Sequence, residues 1–296
     1  MTAKRLIQIV LVALLMPLWV GLGRADQPAA GKVVLGQISL SFYAVTGAVV
    51  RQVLERLGYS VQVVEGSHGH IFPRLADGEI DLLVAAWLPH GHAIYWERYG
   101  SQAEAIAVLY EGARFAWMVP TYVPADMVAT IGDLRKAEVL EQMSKIIQGT
   151  GRDSGNMMVS ADVMQAYGLE EAGYRLVPGT LSEFYGNYDR AVAARQWFVM
   201  PLWFPNFINR VGNMRPISEP EHRLGEANAG TLVANRAWVE RMPDRTLRVL
   251  RRIRLRMDAV EEMDYDVNRA GKSPEQAARD WLQRNQERVD AWFAQS

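Results

Sequence analysis

The sequence predicts a two-lobed α/β protein, each lobe built on a doubly wound, mainly parallel sheet, with a helical C-terminal region. Three observations carry this. Strand-like and helix-like segments alternate from Val33 to Ala86, alternate again from Ala113 to Trp203, and give way to helical spacing after Ala234. Strand–helix–strand alternation is the signature of parallel sheets with crossover helices. At 296 residues the chain is long enough to bury two cores.

In order, Val33 to Ile38 is an apolar first strand. Ala44 to Leu57 places Val45, Ala48, Val49, Val53, Leu54 and Leu57 at helical spacing. Tyr59 to Val64 alternates and is β-branched, which reads as a strand. Phe72 to Ala76 is a short helix and Ile80 to Ala86 a buried strand. The second set opens with Ala113 to Val119, a strand halted at Pro120. A helix begins at Ile131, Lys145 to Ile147 is a strand, and Met157 to Tyr167 a helix. Tyr174 to Val177, Asp189 to Ala194 and Trp197 to Trp203 then read as strand, helix and strand. Pro120 and Pro124 stand where the chain crosses between lobes. Residues 26–120 with 222–296 are expected to form lobe 1, and 121–221 lobe 2. Ala234 to Met257 reads as one helical region. Ser273-Pro274-Glu275-Gln276 has a Ser cap, Pro at N1 and Gln at N3, a helix start. Trp281 and Trp292 beyond it read as packing.

Residues 1–25 read as a cleaved signal peptide. Lys4 and Arg5 precede an apolar run, Leu6 to Val20, broken by Gln8 and Pro17, and Ala25 suits cleavage. Cleavage removes three cations and no acid, taking the formal charge from −1 to −4. That balance gives no footprint for nucleic acid. The arginines from Arg245 to Arg256 interleave with Leu247, Leu250, Ile253 and Met257, so they read as the solvated face of a helix. Cysteine is absent, so no disulfide and no N-terminal lipid attachment are expected. An exported, unanchored chain is expected in a periplasm.

The candidate site comes from a duplication. Strand Ile80 to Ala86 runs into Trp87-Leu88-Pro89, and strand Phe198 to Leu202 into Trp203-Phe204-Pro205. Ligands of open α/β sheets bind beyond the carboxyl ends of the strands. Two facing lobes would therefore bring Trp87 and Trp203 to opposite walls of one cleft. A trimethylammonium group has no N–H to donate and spreads its charge over methyls. An indole face answers both properties, at roughly 0.5–2 kcal/mol per contact.

Here the chain resembles the glycine betaine/proline/choline-type substrate-binding proteins of ABC importers. Trp87-Leu88-Pro89-His90-Gly91-His92-Ala93-Ile94-Tyr95-Trp96 looks like their W-L-P-x-x-H-x-x-Y-W, Trp203-Phe204-Pro205-Asn206-Phe207 like their W-T-P-H-W, and Gly271 to Leu282 like their G-K-x-P-E-x-A-A-x-x-W. The resemblance runs from about Val33 to the end. It implies a type II periplasmic binding protein fold and a monomer that captures a quaternary-ammonium solute between its lobes. It also implies delivery to an inner-membrane permease with its ATPase, without a cofactor. Trp87 and Trp203 are then cage residues, with Pro89 and His92 from the first motif. Where the family often carries a third tryptophan this chain reads Ser39 to Tyr43, so Phe42 and Tyr43 are candidates for the missing face. Asn206 replaces a histidine and Phe207 a tryptophan. For an anionic ligand end, Gly149 to Asn156 precedes a helix, and Ser154 adds a hydroxyl.

Two rivals remain. His68, His70, His90 and His92 form two His-Gly-His pairs, a set suited to zinc; His68 and His70 read as a glycine-containing loop. An exported hydrolase is the other, although Gly-x-Ser-x-Gly, His-Glu-x-x-His and a cysteine nucleophile are all missing from the sequence.

Overall fold

The computed structural model describes residues 31–294. The signal-peptide reading of residues 1–25 lies outside them. The first lobe alternates as expected: β1 (Lys32–Ile38), α1 (Ser41–Arg56), β2 (Ser60–Gly66), α2 (His68–Ala76), β3 (Leu82–Leu88) and α3 (Ala93–Tyr99). Strand β4 (Ala103–Pro120) leads into the second lobe, with α4 (Ala137–Leu140), β5 (Ile146–Gln148), α5 (Gly155–Ala166), β6 (Arg175–Val177), α6 (Leu181–Ala193), β7 (Met200–Phe204), α7 (Phe207–Val211) and β8 (Met214–Pro216). The chain returns through β9 (Asn228–Asn235) and ends in α8 (Arg236–Arg241), α9 (Asp244–Arg252), α10 (Met257–Ala270), α11 (Pro274–Arg284) and α12 (Gln286–Phe293).

The hydrogen-bonded strand order is β2-β1-β3-β9-β4-β7, with β8 also on β4. Strands β2, β1 and β3 are parallel, whereas β9 lies antiparallel between β3 and β4. The antiparallel members follow from the two-lobe path, because β4 leaves the first lobe and β9 comes back into it. Strand β4 serves both sheets. From Ala103 to Ala113 it pairs with β9, and from Arg114 to Met118 with β7. Strands β5 and β6 form a parallel pair, tied to the β7 segment by a bridge from Met143 to Trp197.

Several elements differ from the sequence reading. Strand β4 begins ten residues before Ala113, because Ala103 to Gly112 is recruited by β9 despite its Ala and Glu content. Strand β9 takes up the start of the region read as helical. The rest of that region divides at Met242 and Pro243, and again at Ile253, where the backbone is extended. The helix expected from Ile131 is a single 3-10 turn, Ile131–Arg135. Helix α6 starts eight residues before Asp189, where Thr180 and Glu183 form a reciprocal capping box. Residues His68 and His70 open α2 rather than a loop. Ser273 caps α11 as expected, and Trp281 and Trp292 are buried and stacked, with ring centroids 6.4 Å apart.

One core fills the first lobe and continues through Phe184, Trp203 and Phe207 of the second. Another, around Trp117, Val128, Ile147, Val163 and Tyr174, belongs to the second lobe alone. Apolar contact thus crosses between the lobes, where the strand ends converge.

Candidate functional site

Trp87 sits at the end of β3, just after an irregularity that shifts the β3–β9 register between Leu83 and Ala86. Ala85 there has φ +57°, left-handed for a residue with a Cβ. Such bulges re-aim the side chains that follow them. The Trp87 indole is 2% exposed, and its Nε1 donates to the Tyr110 hydroxyl at 3.0 Å. Tyr110 reaches it by lying flat over Gly230, whose position leaves no room for a Cβ: one would stand 2.3 Å from the tyrosine ring. Trp203 ends β7 in the same way, directly opposite Phe115 of β4 in the ladder. Both prolines that follow, Pro89 and Pro205, are preceded by cis peptide bonds.

Both indoles line one inter-lobe cavity. Its walls are Leu40, Phe42, Tyr43, His68, Trp87, His92 and Phe115, with Thr150, Ser154, Gly155, Asn156 and Trp203. The Phe42 ring stands between the tryptophans, 5.8 Å from Trp87 and 6.2 Å from Trp203. Phe115 packs on Trp87 at 5.2 Å and Phe184 stacks behind Trp203 at 5.5 Å. No Lys, Arg, Asp or Glu is among the described lining residues. The free space is small, about 30 Å³, so the aromatic walls stand close together. A larger groove of about 350 Å³ between α6 and strands β5 and β7 contains neither tryptophan.

Of the residues singled out from sequence, Phe42, Tyr43, Trp87, His92, Ser154 and Trp203 meet at this cavity. Pro89, Asn206 and Phe207 do not line it. Pro89 is exposed beyond Trp87. Asn206 is buried under the cage: its Oδ1 accepts from the Ile208 N–H to cap α7, and its Nδ2 donates to the Tyr185 hydroxyl at 3.1 Å. Phe207 packs on Tyr185 at 4.8 Å and under the Arg269 guanidinium. Sequence reasoning left Tyr110 and Phe115 out, considered His68 for zinc alone, and gave Thr150 and Asn156 only as part of the loop 149–156. Phe115 reaches the cleft through strand register and Tyr110 supports Trp87 behind it.

The polar end of the cavity lies at the start of α5. Ser154 is its N-cap, accepting from the Met157 N–H at 3.2 Å and bonded to the Thr150 hydroxyl at 2.8 Å. Asn156 Nδ2 donates to the Pro201 carbonyl, while its Oδ1 has no partner among the described residues. Trp203 Nε1 is also unpartnered there. Buried polar groups without partners are costly, and both residues line this cavity.

The histidine pairs separate. His68 and His92 meet with ring centroids 4.9 Å apart, whereas His70 bonds to Arg74 and His90 lies exposed near Glu226. No group of three or more His, Cys, Asp or Glu able to hold a metal occurs among the described residues. His92 Nδ1 accepts from the Trp87 N–H at 3.0 Å, so the histidine of the first motif fixes the backbone beneath the indole. Burial lowers His92 well below its ordinary pKa, and His68 adds to this. Burial also pushes His68 down to about 4, against the opposing pull of Asp153. Both imidazoles are neutral at pH 7. Burial, with Tyr110 adding, raises Tyr43 well above the ordinary phenol value.

Two α/β lobes joined by a strand common to both, with paired aromatic side chains closing on a cavity between them, define a two-lobed solute-binding protein. The chain belongs to the family of substrate-binding domains of ABC-type glycine betaine transport systems, whose pattern it matches over residues 31–284. It is similar to the glycine betaine/carnitine transport binding protein GbuC of Listeria monocytogenes, at 21% identity over 157 residues. That match spans about half of each chain, 53% of this one and 52% of the relative. Lactococcal OpuAC, solved closed with glycine betaine, superposes with a TM-score of 0.79 at 23% identity, over 89% of this chain and 100% of that one. A choline-binding protein solved with choline gives 0.77 at 18%, over 88% and 91%. The fold is therefore that of a type II periplasmic binding protein. No helix among the described residues is long and apolar enough to cross a membrane.

Proposed function

We propose that the protein is the periplasmic capture component of an ABC importer for a quaternary-ammonium solute: glycine betaine, proline betaine, carnitine or choline. The observation that carries this reading is the convergence of Phe42, Trp87, Phe115 and Trp203 on one cavity whose described lining carries no acidic side chain. An aromatic box without a carboxylate suits a cation that cannot donate a hydrogen bond. Thr150, Ser154 and Asn156 at the N-terminus of α5 suit the carboxylate or hydroxyl at the other end of such a molecule. Tyr43 and His92 complete the wall. Asn206 and Phe207 support it from below, and Pro89 holds the turn after Trp87.

Capture is by closure of lobe 1, expected at residues 26–120 with 222–296, onto lobe 2, expected at 121–221. The hinge lies between Ala113 and Arg114, where β4 exchanges β9 for β7, which supports ending lobe 1 at Ala113 rather than at Pro120. The closed form is then read by the permease and the ATPase drives release. The protein acts as a monomer, exported by its signal peptide, and returns its ligand unchanged. Titration calorimetry with the four solutes and with zinc tests this. The expected result is binding of at least one solute, weakened roughly tenfold or more by Trp203→Ala, with the ligand-free variant still melting cooperatively. Binding of zinc alone, or an unchanged affinity in the variant, overturns the assignment.

A further inference from the structure

Outside the cavity, one residue of the second lobe gathers contacts from two places on the first, through its carboxylate at the start of α2 and through its backbone carbonyl at α3. Asp153 lies in the loop before α5 and does not line the cavity. Its carboxylate accepts from the Gly69 N–H at 3.4 Å, at the start of α2, and from the Ser67 hydroxyl. Its backbone carbonyl accepts from the Tyr95 hydroxyl of α3 at 3.0 Å. His68, between Ser67 and Gly69, lies close enough to interact with it electrostatically. Burial raises the carboxyl's pKa, but the bonds from Ser67 and Gly69 and the neighbouring imidazole outweigh it and hold Asp153 below the ordinary carboxylate range. The group is thus ionised, and it is most favoured where those donors surround it. Every one of these partners belongs to the first lobe, so each contact exists only while the lobes are together.

We propose that Asp153 is the latch of the closed state: a positioning residue that touches no ligand but sets how long the lobes stay shut. The consequence for ligand residence rests on the reading of the cleft as a binding site; the closure itself does not. A latch made after the ligand has entered acts on dissociation, because the contacts it adds are absent from the open encounter complex. A merely structural side chain would instead alter the stability of the ligand-free fold.

The chain has no cysteine, so two can be introduced as unique spin-label sites. Ile94 on α3 and Met158 on α5 are both exposed, one on each lobe. With labels at Ile94→Cys and Met158→Cys, pulsed dipolar spectroscopy reads the closed fraction with and without choline or glycine betaine. Asp153→Ala is expected to lower that fraction. In stopped-flow tryptophan fluorescence it is expected to speed release of either solute roughly tenfold or more while changing association by less than about threefold. Asp153→Asn, which keeps an acceptor oxygen, is expected to fall between. An unchanged closed fraction, or a ligand-free melt lowered in step with the faster release, overturns the latch. A wild-type protein that binds neither solute would sink the ligand assignment while the distance measurement still decides the latch.

Discussion

The backbones of Gly155 and Gly91 touch across the cleft: a Cβ on Gly155 would stand 2.6 Å from the Gly91 carbonyl oxygen. Gly155 opens α5 in the second lobe, and Gly91 follows the first Trp-x-Pro turn in the other. A Cβ contact under 3 Å with backbone cannot be relieved by a side-chain rotation, so the lobes must stay further apart. Gly155→Ala is expected to weaken solute binding roughly tenfold or more while leaving the ligand-free melt nearly unchanged, because Ala is well tolerated at a helix start. Calorimetry and a thermal melt check this. Wild-type affinity in the variant would mean that closure does not bring these backbones together.

His68 gives binding a pH dependence. Its imidazole is held at about 4 chiefly by burial, and it lines the inter-lobe cavity together with Thr150 and Ser154 of the second lobe. With the lobes parted it returns toward the ordinary value of about 6.5. The closed form disfavours the charged ring, so its advantage is full above about pH 6.5 and is lost as the pH falls toward 4. Asp153, lowered rather than raised, is ionised across that window in either state. Affinity for choline, which carries no titrating group here, is expected to drop roughly tenfold or more between pH 7.5 and 5. In His68→Gln that slope should flatten. A slope surviving in the variant would point to His92, the other buried imidazole facing this ring, and not to His68.

Tyr110 holds Trp87 through the hydroxyl that accepts its indole N–H. Removing that oxygen leaves a buried donor unpaired, which costs about 1–3 kcal/mol. Tyr110→Phe is expected to lose that much in urea unfolding and to weaken binding as Trp87 loosens. Gly230→Ala should be worse than Tyr110→Phe, since its Cβ meets the ring itself. If Gly230→Ala unfolds no more readily than wild type, the ring is free to move and does not position the indole.

What was legible in the sequence was local. Trp87 and Trp203 could be named because each ends an apolar run and precedes a proline within two residues. Helix α11 could be started at Ser273 because its cap lies within four residues. The segment Ala103 to Gly112 was not legible, since its Ala and Glu residues have weak strand preference and it becomes a strand only between partners far away in the chain. Tyr110 lies in that segment, so its role was hidden with it; Phe115 lies in the strand read from Ala113, but its place opposite Trp203 comes from the register with β7, which a linear sequence does not display. His68 reads as a loop histidine until α2 is packed against α3, where it meets His92 and Tyr95. Asn206 shows the reverse difficulty: its spacing suits a ligand donor and a helix cap equally, and the structure shows its side chain capping α7.

Asp264 of α10 is fully buried where that helix meets α1 and α7. Its Oδ2 accepts from the Phe207 N–H at 2.7 Å, its Oδ1 from Asn268 at 3.0 Å, and the Ser41 hydroxyl bonds it as well. Burial nevertheless pushes its pKa up to about 7, and Glu261 nearby adds to this, against those three donors. A carboxyl raised in the folded state binds its proton more tightly there than in the unfolded chain, where the ordinary value is about 3.9. Its contribution to stability is therefore complete below about pH 4 and disappears as the pH rises through 7. An amide at this position carries no charge at any pH, so the comparison of Asp264→Asn with wild type isolates this one group from the histidines, which act in the opposite sense. The stability difference should move in favour of the variant by about 2–3 kcal/mol between pH 5 and 8, read from urea unfolding at each pH. Parallel pH profiles would mean that Asp264 is ionised at no cost in the fold, and that the donors around it outweigh burial.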